Sequence, residues 1–83
     1  MFIDSLPEAP PGQGYTKRYD YNANGQLIYE GWAKTALNAS VNAAVWTIRA
    51  YTYTGNNLTF SGYANGTTAE NQIWANRATL TYQ

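Results

Sequence analysis

The chain contains no cysteine and no histidine. Without cysteine there are no disulfides, the usual staple of a small domain. Without either residue type, the thiolates and imidazoles of a structural zinc site are missing. So are the side chains that most often serve as nucleophile and base. Charge is also scarce: five Lys/Arg balance five Asp/Glu, and charged residues make up 12% of the 83 positions. Phosphate neutralisation needs a basic excess, so we expect no nucleic-acid partner. The same neutrality argues against an acidic membrane surface. No apolar run approaches the roughly 20 residues of a membrane-spanning helix. The N-terminus lacks the basic region and apolar core of a secretion signal. The expectation is synthesis in a cytoplasm without export by the general route.

Chemistry is equally thin. No Gly-rich phosphate loop precedes a helical pattern. Of the five acids, Asp4 and Glu8 lie in the first residues, while Asp20, Glu30 and Glu70 sit on separate segments. Nothing in their spacing pairs two carboxylates as glycoside hydrolysis requires. We expect no enzymatic activity, no cofactor and no metal.

What is present is aromatic and strand-forming. Three Trp, eight Tyr and two Phe supply a large apolar payload for one thin-cored domain. The segment 45–53, Val-Trp-Thr-Ile-Arg-Ala-Tyr-Thr-Tyr, is the longest run of β-branched and aromatic residues without Gly or Pro. Segment 73–82 repeats its pattern, and segment 15–21 is a fainter copy. Between them a second pattern, Leu-x-aromatic-x-Gly-aromatic-Ala, occurs at 27–33 and again at 58–64. The alternation predicts an all-β fold: a small antiparallel five-strand meander, barrel or sandwich-like unit, built from repeated hairpins over residues 15–83.

Asn22-Ala23-Asn24-Gly25 and Gly55-Asn56-Asn57 are hairpin turn signals. Gly31 and Gly62, at matching repeat positions, predict a bulge or a large ring crossing the strand. Trp46 and Ile48 alternate toward the core. The copy at 73–82 carries one residue more than its model between Arg77 and Tyr82. That predicts a last strand over 73–82 with a bulge or irregular turn near 76–79. Arg49 and Arg77 each follow a Trp by three residues. Stacking on a ring or bridging of carbonyls is the favoured reading, contact with a partner the other. Three Asn-x-Ser/Thr triplets are expected by chance in a chain so rich in Asn and Thr.

Residues 1–14 form an extended arm, because Pro7, Pro10, Pro11, Gly12 and Gly14 forbid regular structure. Phe2, Ile3 and Leu6 are apolar and precede the prolines. They are expected to anchor the arm, either on its own sheet or on a neighbouring chain. Tyr19, Tyr21, Tyr51 and Tyr53 match pairwise across the repeat and are candidates for a recognition stripe. Tyr brings area and one polar handle at low entropy cost. A protein interface, a glycan platform and simple coverage of a thin sheet all remain open for them.

The segments 27–33, 45–49 and 73–82 resemble small proteins encoded in tailed-bacteriophage genomes. The shared features are a Tyr-x-Gly-x-Ala strand, a Trp-x-Ile strand and a closing Ile-Trp-x-Asn-Arg-x-x-Leu-x-Tyr. The resemblance spans about residues 19–82 and omits the arm. The chain departs from the pattern at 35–42, which lacks a Pro-Gly after the Ala. The resemblance implies a virion-associated protein made in the host cytoplasm. Its partners would be other virion proteins (coat, neck or tail), present in many copies or as a homo-oligomer. Capsid cement or decoration, or a neck or tail component, is the expected role. A receptor- or glycan-binding module displayed on the virion is the alternative.

Overall fold

A computed structural model describes residues 16–34 and 38–83. The arm, with Phe2, Ile3 and Leu6, lies outside the described residues. Four antiparallel strands follow in chain order: β1 (Thr16–Tyr21), β2 (Leu27–Ala33), β3 (Ala44–Thr54) and β4 (Asn57–Tyr63). The β1–β2 and β3–β4 turns are made by the residues whose chemistry predicted them. Gly25 takes φ +80° and Gly55 φ +61°, the left-handed region that glycine enters without a steric cost. The Asn22 side-chain oxygen accepts from the N–H groups of Asn24 and Gln26 at 2.9 and 3.0 Å. The side chain thereby satisfies the backbone donors that the reversal leaves unpaired.

The fifth element departs from the expected meander. β5 is only Gln72–Ile73, and it pairs with β3 rather than extending the sheet beyond β4. Register explains how. The N–H of Ala64 donates to Ile48 at 2.9 Å, and Gln72 then faces Trp46. Residues 65–71 make an excursion, and pairing resumes further toward the start of β3. From Trp74 to Thr79 the chain is a 3₁₀ helix, so the strand expected over 73–82 is not formed. Ala75, Asn76 and Ala78 are weak strand formers, and the irregularity placed near 76–79 is this helix. The register shifts lie elsewhere, at Asp20/Tyr21 opposite β2, at Thr52/Tyr53 opposite β4 and at Ala44/Trp46 opposite β5. Among the described residues nothing pairs β1 with β4, so the sheet stays open.

The two faces follow from the register. One carries Ala33, Gly31 and Tyr29 of β2 beside Ile48 and Ala50 of β3, with Gly62 next in line. The 3₁₀ helix and C-terminal residues cover this face. Trp46, Ile48, Ala33 and Ala64 are fully buried there, with Trp74 at 4% exposure. Trp46 and Trp74 meet at 5.8 Å between centroids, and Tyr29 and Tyr82 at 5.7 Å. Gly31 shows why its position is small: a Cβ there would lie 2.5 Å from the Trp74 ring. This is the ring crossing expected from sequence. Gly62 is crossed by main chain instead, since its Cβ would sit 2.6 Å from the Gln83 carbonyl oxygen.

Two buried side chains of β3 find main-chain partners, as buried polar groups generally do. Trp46 Nε1 donates to the Ser40 carbonyl at 2.9 Å, and Thr47 Oγ1 to the Thr68 carbonyl at 2.7 Å. The second bond holds the 65–71 excursion over Thr47 on the opposite face.

Candidate partner-binding surface

That opposite face carries a row read straight across the sheet: Tyr19, Glu30, Arg49 and Tyr63. Tyr51 Oη donates to Glu30 Oε1 at 2.7 Å, and Tyr53 Oη donates to the Leu27 carbonyl at 2.9 Å. Tyr19 lies opposite Glu30, and Tyr21 opposite Leu27. Tyr19 and Tyr51 thus share Glu30 as a neighbour on β2, and Tyr21 and Tyr53 share Leu27. Their exposure differs. Tyr19 and Tyr21, on outer strand β1, are 45% and 55% exposed. Tyr51 and Tyr53, on central β3, are half-buried with their hydroxyls spent inside the domain.

Arg49 lies between two rings, 5.4 Å from the Tyr51 centroid and 5.3 Å from that of Tyr63, and donates to Ser61 Oγ at 3.0 Å. Its Nε is buried without a hydrogen-bond partner, so ring stacking carries more of its anchoring. Burial first, then the hydrogen bond and negative charge of Glu30, push the Tyr51 hydroxyl up to about 12; Arg49 opposes them. Arg77 stacks on Trp74 at 4.7 Å and pairs with Asp20 Oδ2 at 3.0 Å. Both arginines thus take the ring-stacking role that their spacing favoured. Tyr82 donates to the Arg77 carbonyl, and burial raises its pKa as well.

The carboxylates of the described residues are held in structural contacts. Asp20 binds Arg77, Glu30 accepts from Tyr51, and Glu70 Oε2 accepts from the Lys34 N–H at 2.9 Å. Among the described residues no three metal-capable side chains gather, and no helix is long and apolar enough to cross a membrane.

Two features escape a reading of the sequence alone. Leu58 and Phe60 are 53% and 42% exposed on β4. Their period-two spacing marked a strand face, but that face was legible as open only once β4 proved to be an outer strand. The second feature is a groove of about 500 Å³ between the two hairpin turns, lined among others by Asn24, Tyr29, Thr52, Tyr53, Phe60 and Tyr82. Gln26 Nε2 donates to the Gly55 carbonyl at 3.0 Å and ties the turns together at its end. No sequence motif announces it, because its wall combines residues from turns and strands far apart in the chain. In comparisons with protein-family models, curated proteins and solved structures, the chain matches none.

Proposed function

We propose that the protein is a non-enzymatic accessory structural protein of a tailed-phage virion. It binds other virion proteins through its N-terminal arm and an aromatic part of its sheet, as capsid cement, decoration, neck or tail component. The virion setting rests on the sequence resemblance. The observation that carries a binding role is the placement of the exposed large apolar side chains. Tyr19 and Tyr21 lie on β1, Leu58 and Phe60 on β4, and these are the outer strands of the sheet. Apolar side chains on strand edges are what a protein partner covers. Quantitative mass spectrometry of purified particles from the source of the sequence tests the reading. A copy number near that of the coat subunit means cement or decoration, and a far lower one means neck or tail. Absence from the particle overturns the proposal. Deleting residues 1–14 is expected to abolish attachment with the sheet still folded.

The inter-turn groove favours a second reading, a receptor- or glycan-binding module on the same particle. Ring walls beside amide and hydroxyl groups are the surface a sugar uses. A glycan array without signal, together with unchanged host adsorption by Tyr51→Ala and Tyr53→Ala particles, excludes it.

A further inference from the structure

Asparagine precedes glycine twice in this chain, at Asn24-Gly25 and at Asn65-Gly66. Such a pair holds its own electrophile and nucleophile. The glycine nitrogen can attack the asparagine Cγ and close a five-membered ring, and glycine has no Cβ to crowd that ring. The surrounding fold decides whether the ring can close.

The two nucleophiles are held alike. The Gly25 N–H donates to the Asn22 carbonyl at 3.0 Å, and the Gly66 N–H to the Tyr63 carbonyl at 2.9 Å. The two electrophiles are held differently. Asn65 Nδ2 donates to Gln72 Oε1 at 3.0 Å. Gln72 is a firm anchor for it. That residue is buried, pairs with Trp46 as part of β5, and donates from its own Nε2 to Asn71 Oδ1 at 2.8 Å. Asn65 must break from this anchor before its Cγ can turn toward Gly66. Asn24 is exposed in the β1–β2 turn. Its backbone N–H is bound to Asn22 Oδ1. Its side-chain amide makes no hydrogen bond among the described residues, so only the turn itself has to open. Exposed turns open locally at lower cost than segments packed on a core.

We propose that Asn24 is a site of spontaneous modification in the folded protein, and that Gln72 protects Asn65 from the same reaction. The Gly25 nitrogen bonds to Asn24 Cγ and loses its proton, and Asn24 Nδ2 departs as ammonia. Water then opens the succinimide. Attack at Cγ gives aspartate. Attack at the main-chain carbonyl gives isoaspartate, in which the chain runs through the former side chain. Water enters, ammonia leaves and nothing is oxidised or reduced. Either product gives one negative charge to a chain whose net charge is zero. The charge falls on the inter-turn groove, which Asn24 lines together with Tyr29, Thr52 and Phe60, and no Asp, Glu, Lys or Arg lines that groove. Isoaspartate also adds a carbon to the main chain within the turn that Asn22 closes. The inference depends neither on the virion setting nor on what the groove binds.

The test is incubation of the full chain at mildly alkaline pH, folded and in denaturant, followed over time by peptide mass spectrometry. Trypsin releases residues 19–34 and 50–77, which separates the two pairs. In the folded protein, aspartate plus isoaspartate is expected to accumulate at Asn24 at least tenfold faster than at Asn65. In denaturant the two pairs should react at similar rates. Gln72→Ala should speed the reaction at Asn65, and Gln72→Glu, which keeps an acceptor oxygen, should restore protection. Fluorescence of buried Trp46 and Trp74 reports that each variant is folded, and if Gln72→Ala is not, the folded and denatured wild type decide alone. Asn24→Gln should remove the early acidic species on ion exchange, because closure then needs a six-membered ring. Equal rates at the two sites in the folded protein overturn the inference. So does an Asn24 that reacts only in denaturant, or an Asn65 as slow in folded Gln72→Ala as in the wild type.

Discussion

Two segments of this chain share the spacing Trp-x-x-Arg and use it in opposite ways. In β3, Trp46 points into the core and Arg49 to the other face of the sheet, since residues three apart on a strand face opposite sides. In the 3₁₀ helix, Trp74 and Arg77 are one turn apart and eclipsed. There the guanidinium stacks on the same tryptophan, at 4.7 Å. Each arginine still finds a ring. Arg49 takes its rings from Tyr51 and from Tyr63 of the neighbouring strand, Arg77 from Trp74 and from Tyr29 at 6.0 Å. The lesson is that the spacing selects a chemistry, an arginine held by aromatic faces, and leaves the backbone to its neighbours. β3 has hydrogen-bonded strands to pair with and β-branched Thr47 and Ile48 to fill the pleat. Segment 74–79 has Ala and Asn in those places, and it closes over the sheet as a lid.

The comparison can be broken first at the lid. Trp74→Ala removes a ring at 4% exposure that covers Gly31 and meets Trp46. We expect a loss of about 3–5 kcal/mol, at about 4–8 °C of melting temperature per kcal/mol in a domain this small. Thermal unfolding followed by near-ultraviolet circular dichroism measures it. A loss below about 1 kcal/mol would mean that the 3₁₀ helix is an ornament on a self-sufficient sheet.

Gly31→Ala attacks the same contact from the strand side. Its new Cβ meets the rigid edge of the Trp74 ring, and overpacking of this kind costs about 1–3 kcal/mol. In a double-mutant cycle with Trp74→Ala the two losses should fall short of additivity, because the second change removes the atom the first collides with. Strict additivity in chemical denaturation would show that the ring does not rest on Gly31.

The smallest effect separates the tyrosines that close the two segments. Tyr51 donates to a carboxylate, Tyr82 to a main-chain carbonyl. The Tyr51 hydroxyl titrates near 10 in the unfolded chain and is pushed up to about 12 in the fold. Below pH 10 both states keep the proton and this contribution is constant. Between pH 10 and 12 the unfolded chain loses its proton while the folded one retains it, so stability falls as pH rises. Tyr51→Phe should cost about 1 kcal/mol at neutral pH and should show a shallower decline above pH 10. Tyr82 keeps some of the slope, since its shift has the same direction. Identical slopes in denaturant midpoints from pH 9 to 12 would mean that Tyr51 is not held by Glu30.

Much of this fold was legible along the chain because its causes are local. Turn residues such as Asn22 and Gly25 act on their own backbone, and the alternation around Trp46 and Ile48 needs only the period of a strand. Gly31 and Gly62 announced close approaches, though the sequence could not say that a ring crosses one and the chain's own end the other. The closing segment was the main miss. Its similarity to β3 suggested a strand, but a strand exists only where a partner edge is free, and there β5 takes two residues before the chain turns over the core. The candidate surface divided in the same manner. Tyr19 and Tyr21 were recognisable as candidates, yet nothing in residue type distinguishes them from Tyr51 and Tyr53. Position in the sheet does, leaving one pair half open to water and spending the hydroxyls of the other inside.

Composition, turn chemistry and period-two patterning therefore determine by themselves that this chain is an antiparallel β domain without disulfides, with Trp46 and Ile48 inside. Which strands lie outermost, where the chain covers its own sheet, and that Thr81, Tyr82 and Gln83 run along the edge of β4 were decided only in three dimensions. The reason is that edges, lids and grooves are made by residues distant in sequence, and their energies depend on what is left unpaired once all the local choices have been made.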